Sequence, residues 1–297
     1  MDELAKLVAD ELAIPVDLRV SEFAAAIAAR HGKASRAVLF YGSCLREKQL
    51  DGLMLDFYLI VSDYRAAYDR KWLATANKLI PPNVFYLEDN GLTAKYAVLS
   101  EIDFVRECDV SAGTPSVMAR FAQPSRIVWV FDDLARTKAI DAVSRAAPAL
   151  LHLTQPTMAD EDAAEPLAIW KRAFAYTYGA EMRAERKSRP DAIVDADPER
   201  YDRFARAAGF PLRLGTTESE RRAAEKAWRR FQRRTRRIQV LRLAKASATF
   251  AGGVDYIAWK INRHAGTQIR IKPWQRRWPL LAAISLLPRL LNSGAVR

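Results

Sequence analysis

Residues 38–61 read VLFYGSCLREKQLDGLMLDFYLIV. An apolar, β-branched run reaches Tyr41, the chain turns through Gly42 and Ser43, a polar segment follows, and a second apolar run starts at Leu53. That order predicts strand, tight turn, connection, strand. Gly42 permits a close backbone approach to a ligand, and Ser43 sets a hydroxyl and an N–H beside it, as suits a polyphosphate held by main-chain donors. Asp56 stands inside the second apolar run, where a carboxylate is costly unless it is paired or holds a metal. Metal is the sharper expectation.

Working outward, Met1–Arg30 mixes acids and bases among apolar residues at helical spacing and predicts one or two amphipathic helices. A helix is expected from Tyr64 to Leu79. Strands are expected at Phe85–Glu88 and Lys95–Leu99, joined at Asp89-Asn90-Gly91, where Asn-Gly supplies the positive φ of a tight hairpin. A last short strand is expected at Ile127–Phe131. Lys95 lies in an apolar strand and Arg120 in an apolar, helix-like run, so each cation wants an anion. Arg46 and Lys48 follow the Gly-Ser turn, either as a solvated basic loop or as contacts to β- and γ-phosphates. Asp51 precedes Gly52 and reads first as turn chemistry, with a second metal-binding carboxylate as the alternative. Glu88 is a surface residue at a strand end, unless the hairpin lies beside the Asp56 strand and brings it to the metal.

The pattern of aromatic-Gly-Ser (Tyr41, Gly42, Ser43), an intervening segment and Asp56 in an apolar strand resembles the nucleotidyltransferase superfamily of polymerase-β type. In that superfamily two acids spaced by one bind two Mg²⁺ ions; here the second position is Tyr58. Leu55-Asp56-Phe57 resembles instead the motif of the mitochondrial-type phosphatidate cytidylyltransferases, the translocator assembly and maintenance family. Pro81–Tyr86, Lys95–Val98, Ser116–Pro124, Tyr178–Arg183 and Tyr256–Lys260 are each similar to a segment of that family, in the same order. Gln123 stands where Lys is common, and Glu181 where Asp is. The resemblance implies CTP and phosphatidic acid as substrates, a site of two Mg²⁺ ions held by Asp56 with Asp51 and Glu88 as further candidates, and catalytic roles for Asp56, Lys95 and Arg120. It implies nucleotide contacts from Tyr41, Gly42, Ser43, Arg46 and Lys48, and lipid-phosphate contacts from Glu181, Arg183, Tyr256 and Lys260. Mg²⁺ suits such a site because it keeps waters and accepts substrate phosphates beside few carboxylates.

The second half is helical in pattern. Trp170, Phe174 and Tyr178 recur at i, i+4 and i+8 as a core stripe, and Asp191–Phe210 predicts another helix with a stop at Gly209. The expected fold is α+β: a nucleotidyltransferase domain over 1–154 with a mixed sheet and flanking helices, a mostly helical, winged-helix-like domain over 155–250, and an amphipathic membrane-association segment over 251–297. The 297 residues suffice for this, and half are hydrophobic. Cys44 and Cys108 form no disulfide framework, and with no nearby histidine Cys44 makes a poor nucleophile. His31, His152 and His264 lack metal-site spacing, and neither a P-loop nor GxSxG is present.

The net charge of +12 calls for an anionic partner or surface. The first hundred residues are close to neutral, and Arg203–Arg242 carries most of the excess. The basic run 218–248, interleaved with Trp228, Phe231, Ile238 and Leu241, suits nucleic-acid phosphates, anionic lipid or plain solvation of a helix face. Ile269–Leu291, with Trp274 and Trp278 among arginines and then a leucine-rich stretch broken by Pro279 and Pro288, is too short to span a bilayer and suits the interface, or docking on its own domain. Together these favour lipid over nucleic acid: a cytoplasmic protein, peripheral on the inner face of the membrane, with its oligomeric state left open.

Overall fold

The computed structural model describes residues 2–47, 50, 52–159, 165–180, 190–211, 215–249 and 271–273. Helices α1 (Glu3–Leu12) and α2 (Leu18–Ala29) begin at Asp2 and Asp17, whose carboxylates accept from Ala5 N and Arg19 N. Such caps contribute about 1 kcal/mol each. Leu4, Val8 and Leu12 form the buried stripe of α1, and Val20, Phe23 and Ile27 that of α2. Strand β1 (Ser35–Tyr41) leads through Gly42 into α3 (Ser43–Glu47), and β2 (Met54–Val61) carries Asp56. The helix expected over Tyr64–Leu79 is two, α4 (Tyr64–Ala67) and α5 (Lys71–Leu79). The break comes at Tyr68, 8% exposed, whose extended backbone points its ring into a cluster with His31 and Phe85.

The hairpin is present as β3 (Asn83–Asp89) and β4 (Leu92–Ser100), with Asn90 at φ +46° and Gly91 at +76°. After α6 (Glu101–Glu107) and α7 (Ser116–Phe121) comes β5 (Ser125–Val130). The sheet is five-stranded in the order β3-β4-β2-β1-β5, parallel between β2 and β4 and antiparallel elsewhere. A parallel pair needs a crossover, which α4 and α5 supply.

Alternation along β2 divides the core. Leu55, Phe57, Leu59 and Val61 face α2, where the Phe23 and Phe57 rings stack at 5.8 Å. Tyr58 and Ile60 face the opposite way, with Leu39, Ala97 and Leu99, toward α1, α8 (Asp133–Ser144) and α9 (Ala146–Thr154).

Beyond residue 155 the described elements are all helical: α10 (Pro166–Ala180), α11 (Pro190–Asp195), α12 (Pro198–Ala207) and α13 (Glu218–Thr249). Asp191–Phe210 is thus two helices. Asp197 caps the second and Pro198 starts it, because proline at the first helical position loses no intrahelical bond. Among the described residues no strand follows β5, so no wing of a winged-helix domain lies among them. Trp170, Phe174, Tyr201 and Trp228 join the same apolar cluster as the α1 side of the sheet, and these helices share its core.

A buried ion pair ties the two ends of this assembly. Arg200, its side chain 3% exposed, donates through Nη2 to Glu11 Oε1 at 2.9 Å and through Nη1 to Ala122 O at 3.1 Å, with its guanidinium 4.1 Å from the Phe204 ring centre. The long basic helix α13 is docked at both ends. Trp228 stacks on Tyr176 at 4.9 Å and donates to Leu153 O, while Arg242 and Lys245 donate to the carbonyls of Pro81 and Pro82 at 2.7 and 2.8 Å. Much of its apolar side is therefore spent on this protein's own core, leaving Leu241 52% exposed. Among the described residues no helix is long and apolar enough to cross a membrane. The leucine-rich tail after Pro273 lies outside them.

Candidate active site at the Gly42 turn

Register across the sheet lines up Tyr41, Asp56, Lys95 and Tyr86 on neighbouring strands. Lys95 Nζ lies 3.1 Å from Asp56 Oδ1, with the side chains 37% and 17% exposed. The contact is an ion pair, and Oδ1 is buried without an aligned hydrogen bond. The other carboxylate oxygen faces the turn. Gly42 has φ +96°, and a Cβ there would stand 2.9 Å from Asp56 Oδ2. Only glycine satisfies both the conformation and the contact. Ser43 opens α3 beside this turn, and Cys44, a buried thiol, donates weakly to Met54 O at 3.4 Å, which ties α3 to the start of β2.

The position where two-acid sites carry a second carboxylate is structural here. Tyr58 is 3% exposed, with its ring 5.4 Å from that of Tyr41 and 5.3 Å from that of Phe121. Phe121 seats α7 on this face of the sheet. Arg120, next to it and partly buried, donates to Ser116 O at 2.6 Å. Gln123 donates to Ala119 O at 2.8 Å, closing the same helix. Glu88 is not brought to Asp56. It sits on β3 with β4 between them, and its Oε2 accepts from the Tyr86 hydroxyl at 3.2 Å. Lys48, Asp51, Glu181, Arg183, Tyr256 and Lys260 lie outside the described residues, and for Arg46 only the backbone, in α3, is described.

A Mg²⁺ ion held by one carboxylate and completed by substrate phosphates fits Asp56, whose Oδ1 lacks an aligned donor. An all-protein cage does not fit, because among the described residues no three of His, Cys, Asp and Glu come together. His31 is on the opposite face, bonded to Ala67 O and the Tyr96 hydroxyl, and burial lowers its pKa. A second feature was legible as charge but not as shape: Arg230, Arg233, Arg234, Arg237 and Ile238 of α13 line a cleft of about 510 Å³.

No known protein family matches the chain by sequence, and no curated protein does. Among solved structures, the crystal structure of a nucleotidyltransferase-like protein from Exiguobacterium sibiricum 255-15 is similar over 93% of this chain and 92% of its own, at 12% identity and a TM-score of 0.29. At that level the likeness bears on neither fold nor chemistry.

Proposed function

We propose that the chain is a Mg²⁺-dependent nucleotidyltransferase of polymerase-β type that joins the nucleotidyl group of CTP to the phosphate of phosphatidic acid at an anionic membrane surface, releasing pyrophosphate and CDP-diacylglycerol. The observation that carries it is the Gly42 turn pressed onto the Asp56–Lys95 pair. A backbone with no side chain in the way lies against a carboxylate that is paired with an ammonium, and Ser43 is the next residue of the turn. That is what a polyphosphate and its cation require of a protein whose task is positioning and charge stabilisation.

In the reaction an oxygen of the acceptor phosphate bonds to the α-phosphorus. The bond from that phosphorus to the α–β bridging oxygen breaks, and pyrophosphate leaves with the electron pair. The acceptor is ionised at neutral pH, so no general base is needed. Asp56 would hold a Mg²⁺ ion travelling with the triphosphate, which would supply neutralisation of the α-phosphate and the leaving pyrophosphate. Lys95 places a fixed positive charge at the same spot, and the arginine cleft of α13 and the basic run around it supply attraction to anionic lipid. Localisation on the inner face of the cytoplasmic membrane follows from that attraction. A second reading, an inactive nucleotidyltransferase-fold binding module, draws on Tyr58 being a core residue where an acid is usual.

The test is pyrophosphate release from each of the four NTPs with Mg²⁺, with and without phosphatidate vesicles, on the wild type and Asp56→Ala. Release that needs CTP and lipid and is lost in the variant is the expected result. Silence with every NTP, in a chain that still binds vesicles, would leave the binding module. Turnover without lipid would move the acceptor to a soluble phosphate or RNA.

A further inference from the structure

The neighbours of Asp56 on its face of the sheet follow from the registers. Along β2 they are Met54 and Tyr58; on β1 they are Leu39 and Tyr41; on β4 they are Thr93, Lys95 and Ala97. None is an acid. Tyr58 cannot be replaced by a ligand without removing a ring packed between Tyr41 and Phe121. Among the described residues, what stands beside Asp56 is a cation, Lys95 Nζ, 3.1 Å from Oδ1.

We propose that Lys95 takes the place of a second metal ion, so that the site works with one divalent cation, delivered on the triphosphate, and one ammonium built into β4. This rests on the nucleotidyl-transfer reading above. Pairing in register on adjacent parallel strands, about 4.8 Å apart, holds the lysine at the carboxylate in the free protein. A single carboxylate already neutralised at 3.1 Å draws a bare hydrated divalent ion poorly. An ion that brings phosphate ligands with it needs only one oxygen more. The ammonium is preorganised positive charge tethered covalently to β4, so it cannot leave the site as a second bound ion could. The bare protein is thus a weak metal binder, and the nucleotide-bound protein holds one ion.

The experiment counts bound Mn²⁺ on the full chain by its electron paramagnetic resonance signal, with and without the non-reacting analogue α,β-methylene-CTP, whose own binding is measured by calorimetry. The expected result is no stoichiometric Mn²⁺ without analogue and one ion per chain with it. Lys95→Glu sets a second carboxylate across from Asp56 and should bind Mn²⁺ without nucleotide at least ~10-fold more tightly than wild type. Lys95→Met, which keeps the bulk without the charge, should still hold one ion with the analogue. Two ions per chain in the wild type with analogue would overturn the proposal, and a fall to one in Asp51→Asn would identify the acid responsible. Tight Mn²⁺ binding by the wild type without nucleotide would also overturn it. Failure of the analogue to bind at all overturns the nucleotidyl-transfer reading itself, and this proposal with it.

Discussion

Replacing Gly42 with alanine probes the contact on which the site depends, and its two costs can be separated. The first is backbone: φ +96° is a region that residues with a Cβ enter at a cost of about 1–2 kcal/mol. The second is contact: the methyl would stand 2.9 Å from Asp56 Oδ2. That is roughly 0.5 Å inside a comfortable heavy-atom separation, so the turn or the carboxylate must move. Gly91→Ala isolates the first cost, because Gly91, in the β3–β4 hairpin, has φ +76° with open space where its Cβ would be and makes no contact with Asp56 there. In urea unfolding Gly91→Ala should lose about 1–2 kcal/mol, and Gly42→Ala about 1 kcal/mol beyond that. Pyrophosphate release should be unchanged in Gly91→Ala and reduced about 10²-fold in Gly42→Ala, the scale of a ~1 Å misplacement at a reacting centre. Equal stability losses, together with full activity in Gly42→Ala, would refute the argument that the turn closes on Asp56.

Two further outcomes follow from the packing. Arg200→Met leaves Glu11, whose side chain is 15% exposed, without its partner, and should lower stability by about 3–5 kcal/mol in urea unfolding, much of it recovered when Glu11→Leu is added; a loss under ~1 kcal/mol would count against a structural clasp. Burial, with the Arg242 charge adding to it, pushes the Lys245 amine down to about 7. Below that pH the lysine is charged in folded and unfolded chains alike and the burial penalty is fully present. From there to about 10.4 the folded amine is neutral while the unfolded one keeps its proton, so stability rises with pH. A neutral amine still has two N–H groups for the carbonyls of Ile80 and Pro82. The wild type measured against Lys245→Met from pH 6.5 to 9.5 should therefore gain stability as pH rises, and parallel curves would contradict it.

Local chemistry made the sheet legible. The β-branched run before Gly42, the Asn90-Gly91 hairpin and the Trp170–Phe174 stripe depend on neighbours in sequence, and each appears where periodicity and turn residues put it. The Asp197-Pro198 helix start is written in the same code, although the spacing over Asp191–Phe210 as a whole reads as one longer helix. The break at Tyr68 had no such signal, because it answers to His31 and Phe85, which are remote in sequence. The site divides the same way. Gly42 and Asp56 could be singled out as a turn and a misplaced charge. That Lys95 is the neighbour of Asp56 while Glu88 is a strand further out depends on which strand of the hairpin abuts β2, a tertiary choice that neither strand's residues announce.

The Glu11–Arg200 bond has a consequence for how the chain is made. Its partners are 189 residues apart, so at about 5–20 residues per second a ribosome takes roughly 10–40 s to deliver the second after the first. For that interval the carboxylate of α1 has no guanidinium, and the helices that complete the core against α1 and α9 do not yet exist. The sheet is complete once β5 has been made and pairs with β1, but the surface that will be covered by α12 waits in water. Synthesis therefore passes through a state with a finished sheet and one uncovered apolar face, the form of this protein that a chaperone would meet.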